Sequence, residues 1–192
     1  MKKYEFTGEV KRIKLIGTEV VLRRIRAVTA FGVVEAGDIG GWIEKEENLS
    51  HDGSAWVYGD ARVYGNARVY GNAKVYGDAW VYGNARVYGD ARVYGNAEVY
   101  GNAKVCGNAE VYSVNHIFSI GPIGSRNEYT TFYRNKNEKI EVRCGCFNGI
   151  IEEFLEKVAE THGENKHASV YRAAAEIAKL QIEPLSTDEE AE

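Results

Sequence analysis

The sequence predicts a mainly β protein: a β-solenoid with an N-terminal β cap and a small C-terminal α+β module. Three observations carry this prediction. One six-residue phrase repeats from Ala55 to Tyr112, each copy has the same small apolar face, and the composition changes directly after Tyr112. A repeat of six residues fits neither a helix nor a long strand whose pattern alternates every two residues. It fits a short strand and a two-residue corner that recur along one axis.

The repeated phrase reads A-x-V-Y-G-N/D, and its Ala-x-Val core occurs ten times within residues 51–112. Successive side chains of a strand point to opposite faces, so Ala and Val share one face while x and Tyr share the other. Because the Ala/Val face is small and apolar in every copy, we expect it to form the interior. Gly followed by Asn or Asp supplies corner residues that tolerate positive φ.

If three repeats make one triangular coil, residues eighteen apart lie above one another at the strand spacing of about 4.8 Å. The x positions then form three outer columns. Two of them mix tryptophan, basic and acidic residues, a composition typical of cation–π and ion-pair ladders. The third column consists of Arg68, Arg86 and Lys104 and contains no acid. It is either a solvated basic face or an anion-binding stripe.

The phrase resembles the hexapeptide repeat of left-handed β-helix proteins, in which an aliphatic residue is followed four positions later by a small one. Val57 and Ala61 match this pattern, as do the later pairs through Val105 and Ala109. The resemblance implies left-handed coiling. It also implies acyl transfer as a possible activity, because many such proteins are acyltransferases with a catalytic histidine at a trimer interface. Tyr departs from the family pattern at the position after Val, which is normally small or acidic.

Residues 1–50 are predicted to form the N-terminal β cap and an irregular first coil. Between Val10 and Val34 apolar and polar residues alternate in patches, which indicates two or three antiparallel strands. Such a hairpin would cover the open strand edge of the first coil. Residues 37–43 follow as the irregular coil, and we expect Trp42 to lie over the open end of the core.

Residues 113–182 are predicted to form a separate β-β-β-α-α module, the candidate ligand-binding unit. The expected strands are at 117–120, 129–133 and 140–144, and the expected helices are at 149–161 and 166–181. Asn148 is the expected N-cap of the first helix and Gly163 its end. Residues 183–192 carry five acidic residues and no basic one, which predicts a disordered acidic tail.

The formal net charge of −4 favours neither a duplex nucleic acid nor a membrane surface as partner. No apolar run reaches the roughly 20 residues of a membrane span. Three cysteines imply no disulfide framework and an intracellular protein. Cys144-Gly145-Cys146 would place two thiols on one strand face, but this is only half of a zinc site. We therefore predict no metal and no cofactor.

The loop 124–127, Gly-Ser-Arg-Asn, is the sharpest candidate for a binding site. A glycine turn exposes backbone N–H groups, Ser and Asn add neutral donors, and Arg offers a bidentate fork to phosphate. Aromatic residues that could stack on a base follow the loop. The predicted ligand-binding residues are Ser125, Arg126, Asn127, Phe132, Arg143 and Phe147. The alternative is a plain hairpin turn whose arginine is solvated.

Catalysis has weaker support. The ten repeats run without an insertion that could build a pocket, and the histidines near them are His51 and His116, one at each end. We therefore predict a protein that is not an enzyme, with acyl transfer through one of these histidines as the enzymatic alternative.

The module resembles the phage Thoeris anti-defence sponge family in the order of its motifs: G-S-R-N, T-T-F-Y, C-G-C-F-N-G and I-I-E-E-F-L-E-K-V. This resemblance implies a phage or prophage protein in the cytoplasm of a bacterial host cell. It further implies a homo-oligomer that sequesters a cyclic nucleotide or a cyclic ADP-ribose-type immune signal, a small anionic nucleotide-like ligand. The alternative is a structural, oligomeric scaffold that uses its tyrosine ladders as contact surfaces.

Overall fold

The computed structural model describes residues 2–15 and 17–182. The chain begins with strands β1 (Tyr4–Leu15), β2 (Thr18–Ala27) and β3 (Ile39–Ile43). Ten two-residue strands follow: Trp56–Val57 (β4), Arg62–Val63 (β5), Arg68–Val69 (β6), Lys74–Val75 (β7), Trp80–Val81 (β8), Arg86–Val87 (β9), Arg92–Val93 (β10), Glu98–Val99 (β11), Lys104–Val105 (β12) and Glu110–Val111 (β13). The last part comprises β14 (Ile117–Ile123), β15 (Glu128–Arg134), β16 (Ile140–Cys144), β17 (Phe147–Ile150), α1 (Ile151–His162) and α2 (Lys166–Gln181). The predicted acidic tail lies outside the described residues.

The two-residue strands stack into three parallel sheets, one for each side of a triangular coil. The first face has the order β13-β10-β7-β4, the second contains β5-β8-β11 and the third has the order β12-β9-β6. Strands pair in register with a spacing of eighteen residues, as in Val57 with Val75 and Val63 with Val81. This confirms the predicted β-solenoid and its outer columns. Its left-handedness stays a prediction.

The solenoid interior is a thin aliphatic column. Every Ala and Val of the repeated core is at most 1% exposed. Each coil is also bonded to the next through its backbone, as where Arg62 N–H donates to Ala79 at 2.9 Å and Tyr64 N–H donates to Val81 at 3.0 Å. A fully buried Val contributes roughly 1.5–3 kcal/mol as an upper estimate. Because each coil covers only its neighbours, stability depends on stacking.

The corners add a second ladder that the sequence pattern did not predict. Asn66 donates its side-chain N–H to Asn84 at 3.2 Å, and Asn84 donates to Asn102 at 3.1 Å. Such side-chain ladders occur where identical residues stack at the strand spacing. The asparagine side chains therefore hydrogen-bond to one another between coils. They also occupy the corner position that follows each positive-φ glycine.

The N-terminal hairpin extends the second face of the solenoid. Strands β1 and β2 pair antiparallel, β2 pairs antiparallel with β3, and β3 pairs parallel with β5. The predicted antiparallel hairpin therefore covers one open edge of the first coil. The core continues into this cap, because Tyr4, Ile25 and Val34 belong to the same buried cluster as the repeat valines.

The sequence led us to expect Trp42 over the open end of the core, and this prediction is wrong. Trp42 pairs in register with Arg62, so its side chain occupies the outer x position, and Ile43 takes the inner position of Val. The indole lies under the charges of Lys11 and Arg24 and donates to the Asp60 carboxylate at 3.2 Å. The difference arises because this irregular coil already follows the inward–outward alternation of the repeats.

Trp56, the first x residue, is also not on the surface. It is only 1% exposed, since Phe31 and Tyr4 cover it at centroid distances of 5.3 and 6.1 Å. Nearby, the buried Lys3 ammonium donates to the carbonyl of Ala55 at 2.8 Å. The segment before the repeats thus closes the first face with aromatic rings.

The C-terminal unit is a four-stranded antiparallel sheet with two helices on one side, so it contains one strand more than predicted. The additional strand, β17, includes Asn148, which therefore does not cap α1. That helix starts at Ile151, where Glu153 accepts the N–H of Ile150 at 3.2 Å. Gly163 ends α1 as predicted. No helix among the described residues is long and apolar enough to cross a membrane.

Strand β15 joins the two parts of the protein. Tyr133 belongs to the solenoid cluster, whereas Phe132 belongs to the cluster under the helices. The junction is polar at its edge, where Lys104 N–H donates to the Thr131 hydroxyl at 3.1 Å. The hydroxyl of Tyr133 lies 3.3 Å from the sulfur of Cys106, which replaces Tyr in the ninth repeat. A smaller residue at this position leaves room for the incoming strand.

We expect Gly83→Ala to destabilise the solenoid more than Gly101→Ala. Both glycines have positive φ, 70° and 64°, so both substitutions introduce strain of about 1–2 kcal/mol. A Cβ on Gly83 would also lie 3.0 Å from the backbone nitrogen of Gly101, whereas a Cβ on Gly101 meets open space. The crowding should add about 1 kcal/mol or more. Urea unfolding measures the difference, and equal losses would contradict tight coil stacking.

Candidate functional site

A cavity of about 500 Å³ lies in the C-terminal unit, between the turns of the sheet and the two helices. Its walls combine an apolar surface with a few charged groups, and its size is in the range of small-molecule sites. The apolar surface is formed by Phe147, Phe154, Val158 and Tyr171. The polar and charged lining residues include Ser125, Arg126, Glu128, Lys157 and His162.

Gly124 allows the turn after β14 to approach helix α2. Its φ is 72°, and a Cβ there would lie only 1.9 Å from the hydroxyl oxygen of Tyr171. The Tyr171 hydroxyl contacts Ser125 and Cys144, and burial, followed by the neighbouring Cys144, raises the pKa of the phenol. The hydroxyl therefore stays protonated at neutral pH and can donate a hydrogen bond at the cavity wall.

Arg126 supplies a positive charge without a fixed acidic partner. Among the residues that the structure describes, it forms no ion pair within 4.0 Å, and its Nη1 lies 3.9 Å from the sulfur of Cys146. Lys157 lines the same cavity and pairs with Glu160 at 2.9 Å on the exposed face of α1. One free guanidinium and one ammonium thus face the cavity, opposed by the carboxylate of Glu128.

The structure brings together three of the six predicted ligand-binding residues: Ser125, Arg126 and Phe147 all line the cavity. Asn127 lies in the same turn with φ of 54°, exposed and outside the cavity lining. Its role there is to form the positive-φ position of the turn, which asparagine tolerates.

Phe132 and Arg143 do not lie in the cavity. Phe132 is 0% exposed and packs on Phe154 with a centroid distance of 6.0 Å. Arg143 pairs across the sheet with Thr131, which puts its side chain on the solenoid side. Phe132 is therefore covered by the core under the helices, whereas strand alternation turns Arg143 to the opposite face of the sheet.

The sequence interpretation missed Lys157, Val158, His162 and Tyr171 as cavity residues. The sequence contained a partial indication of this helix wall, because Phe154, Val158 and His162 recur every four residues and so share one face of α1. Tyr171 is buried on α2, but it lines the wall of the cavity.

His116 has a structural role at the end of the solenoid. It is 3% exposed, Tyr112 N–H donates to its Nδ1 at 3.2 Å, and the guanidinium of Arg134 lies 3.3 Å from its Nε2. Burial, and then the charge of Arg134, lowers the pKa of the imidazole to about 4. Because burial and the adjacent guanidinium both disfavour the imidazolium, the ring is held neutral, and it is out of reach of a substrate.

His51 is also poorly placed as a general base. The backbone N–H of Lys3 donates to its Nδ1 at 3.2 Å, and its ring stacks on Tyr4 at 4.3 Å. Burial lowers the pKa of His51 from its ordinary value. Because Nδ1 is an acceptor, the proton of the neutral ring lies on Nε2, so the open nitrogen can donate but not accept.

The cysteine pair does not share a strand face, contrary to the sequence expectation. Strand β16 ends at Cys144, and Gly145 and Cys146 form the turn to β17. The Cys144 sulfur accepts from the Thr130 hydroxyl at 3.2 Å. Within residues 2–15 and 17–182 no group of three metal-ligating side chains occurs.

Together these features define a hexapeptide-type β-solenoid that carries a small α+β unit with a cavity. The family model of the YdcK β-solenoid repeat matches residues 55–69, 67–83, 79–95 and 85–101, all within the repeats. A stretch of 62 residues is 39% identical to the uncharacterized acetyltransferase YdcK of Escherichia coli (strain K12), covering 30% of this chain and 19% of that protein. The chain therefore spans about a fifth of the length of this relative. The similarity supports the solenoid fold.

Replacing His116 should change the pH dependence of stability. Between pH about 4 and the ordinary value of 6.5, the unfolded state binds a proton at this histidine that the folded state does not. Stability is therefore present above pH 6.5 and falls as the pH is lowered through this window, by about 3 kcal/mol. His116→Gln should remove that part of the decline in urea unfolding series. An unchanged decline in the variant would contradict the neutral, buried state of His116.

Proposed function

We propose that the C-terminal unit binds a small anionic ligand of nucleotide type and holds it without converting it. The observation that carries this proposal is that Arg126 and Lys157 line one cavity together with the apolar side chains of Phe147, Phe154 and Tyr171. A phosphate needs the charged donors, and a planar base needs the rings. The residues that line the cavity show no nucleophile–base pair, so retention of the ligand is the simplest chemistry.

Each group has a defined role in this proposal. The free guanidinium of Arg126 forms bidentate hydrogen bonds to a phosphate, and the Lys157 ammonium contributes a second charge. The Ser125 and Tyr171 hydroxyls hydrogen-bond to polar ring or sugar atoms. Phe147 is half-buried, and its ring lies 5.4 Å from that of Phe154 at an interplanar angle of 55°, which leaves part of the Phe147 ring to the ligand. Glu128 lines the same cavity and can accept a hydrogen bond from a sugar hydroxyl or a base N–H.

We further propose that the protein acts as a sponge-like, homo-oligomeric phage or prophage protein in the bacterial cytoplasm. Its ligand is then a cyclic nucleotide or a cyclic ADP-ribose-type immune signal. Support comes from the resemblance of the motifs around the cavity to the anti-defence sponge family. The cavity is open to solvent on one side, where a second subunit can complete the enclosure of the ligand.

Isothermal titration calorimetry with cyclic ADP-ribose isomers and cyclic dinucleotides tests the binding proposal. We expect at least one ligand to bind the full chain, and Arg126→Gln to weaken that binding by about 10- to 100-fold, since a charge-assisted hydrogen bond contributes about 1.5–3 kcal/mol. The matched control is Arg172→Gln, which removes an arginine paired with Glu164 on the exposed side of α2. Absence of heat with every ligand, or an equal effect of both variants, would favour the scaffold hypothesis instead.

Acyl transfer is a second candidate, because the similar Escherichia coli protein is described as an uncharacterized acetyltransferase. The geometry gives it less support, since His116 is buried and Nδ1 of His51 is occupied. If acyl transfer occurs at His51, incubation with acetyl-CoA and amine acceptors should release thiol, and His51→Gln should abolish the release. We expect no release above the uncatalysed rate. Release that depends on His51 would contradict the non-catalytic proposal.

A further inference from the structure

The third face of the solenoid differs from the other two in the charges that it exposes. Its x positions, Arg68, Arg86 and Lys104, stack in register through β6, β9 and β12. On the first face the corresponding Arg92 pairs with Glu110 at 3.7 Å. On the second face Arg62 lies over the ring of Trp80 at 4.7 Å. Two columns therefore contain their own partners, and the third does not.

The basic column has no acidic partner in the structure. Within the described part of the chain, Arg68, Arg86 and Lys104 form no ion pair within 4.0 Å. Like charges directly opposite each other in a sheet are destabilising. At the strand spacing of about 4.8 Å, three such cations repel one another in the absence of a bound anion. The column is thus a surface whose charges an external anion can neutralise.

A fourth cation approaches this face from the C-terminal unit. The charge of Arg143 acts on Tyr70 and Tyr88, the two tyrosines of the third face. The Arg143 Nε atom is buried and has no hydrogen-bond partner, and its Nη1 makes only a long contact of 3.4 Å to the carbonyl of Phe147. This guanidinium therefore retains unused donors beside the tyrosine pair.

The tyrosines add neutral donors with the same spacing. Tyr70 and Tyr88 stack face to face with centroids 4.9 Å apart and planes 1° apart, so their edges and hydroxyls point away from the stack. Burial raises the pKa of both phenols, that of Tyr88 to about 12 with Cys106 as a further cause. The hydroxyls are therefore protonated donors at neutral pH. Each of these coils presents one cation and one phenol.

A cavity of about 590 Å³ marks the N-terminal part of this face. Arg68, Arg86, Tyr70 and Ser50 line it, together with His51. Glu46 and Glu47 lie at the same end, and Glu46 is paired with Lys2 at 3.1 Å. The acidic end limits how far an anionic ligand can extend, which favours a short ligand over a long polymer.

We propose that this face, the basic column with Tyr70, Tyr88 and Arg143, binds a short acidic oligosaccharide with one carboxylate on each sugar unit. The advance per sugar in such a chain is comparable with the strand spacing of about 4.8 Å. Its successive carboxylates point to different sides of the chain, and the long side chains of Arg68, Arg86 and Lys104 can reach them. The sugar hydroxyls match the phenols and Ser50. In B-form DNA the phosphates of each strand advance by about 3.4 Å along the helix axis and wind around that axis, so they do not follow a straight column of cations.

Calorimetry of the full chain with trigalacturonate tests the proposal, with neutral maltotriose and inorganic tripolyphosphate as comparison ligands. We expect trigalacturonate to bind more tightly than either, and a tenfold rise in salt to weaken it, as for a charge-dominated contact. Arg68→Gln with Arg86→Gln should weaken binding about tenfold or more. These side chains are exposed, so the double variant keeps the fold.

The control is Arg92→Gln, an exposed arginine at the same repeat position on the first face. It should leave trigalacturonate binding unchanged, which distinguishes the third face from the general charge of the solenoid. An equal loss in Arg92→Gln, or no binding of trigalacturonate to the wild type, would overturn the proposal. Tighter binding of tripolyphosphate would overturn the assignment to a saccharide. Neither outcome depends on Arg126, so failure here is distinct from failure at the C-terminal cavity.

Discussion

The stacking of equivalent residues at one strand spacing is the interaction on which the rest of this protein depends. Each coil contributes only three valines and three alanines to the interior, which is too little to hold a coil by itself. Stability comes from the repetition of the backbone ladder, the aliphatic column and the asparagine corners between coils. The same repetition places the side chain at each x position directly above and below the x side chains of the neighbouring coils. The charges of single residues therefore add up along a column.

Strand β15 connects the repetitive solenoid to the C-terminal unit, which has no repeats. Its alternate residues belong to two different cores, with Tyr133 against the last coils and Phe132 under the helices. Cys106, where the repeat would place a tyrosine, accommodates the contact. The C-terminal cavity is therefore supported by a stiff solenoid, while its own walls come from turns of the sheet and from both helices. This division of roles agrees with binding sites placed on loops over a rigid scaffold.

Much of the fold could be predicted because the repeat carries its own geometry. A period of six with Ala and Val on one face fixes the strands, the interior and the eighteen-residue columns. The prediction failed where the sequence does not show which residues point inward. Trp42 belongs to an outer column although its segment lacks the repeated phrase. The site was predicted only in part, since Phe132 is buried in the core under the helices and strand alternation turns Arg143 towards the solenoid. The contributions of Lys157 and Tyr171 depend on how helices pack on the sheet, which local patterns do not specify.

The eighteen-residue coil also makes the length of the solenoid a discrete variable. Gain or loss of three repeats would leave every column in register and both ends intact, and would move the ends by one strand spacing of about 4.8 Å. Gain or loss of a single repeat would instead rotate the C-terminal unit to another side of the triangle. Adding or removing whole coils would therefore change the distance between the two cavities, the one on the third face and the one in the C-terminal unit. The change would come in fixed steps and would leave the residues of both cavities unaltered.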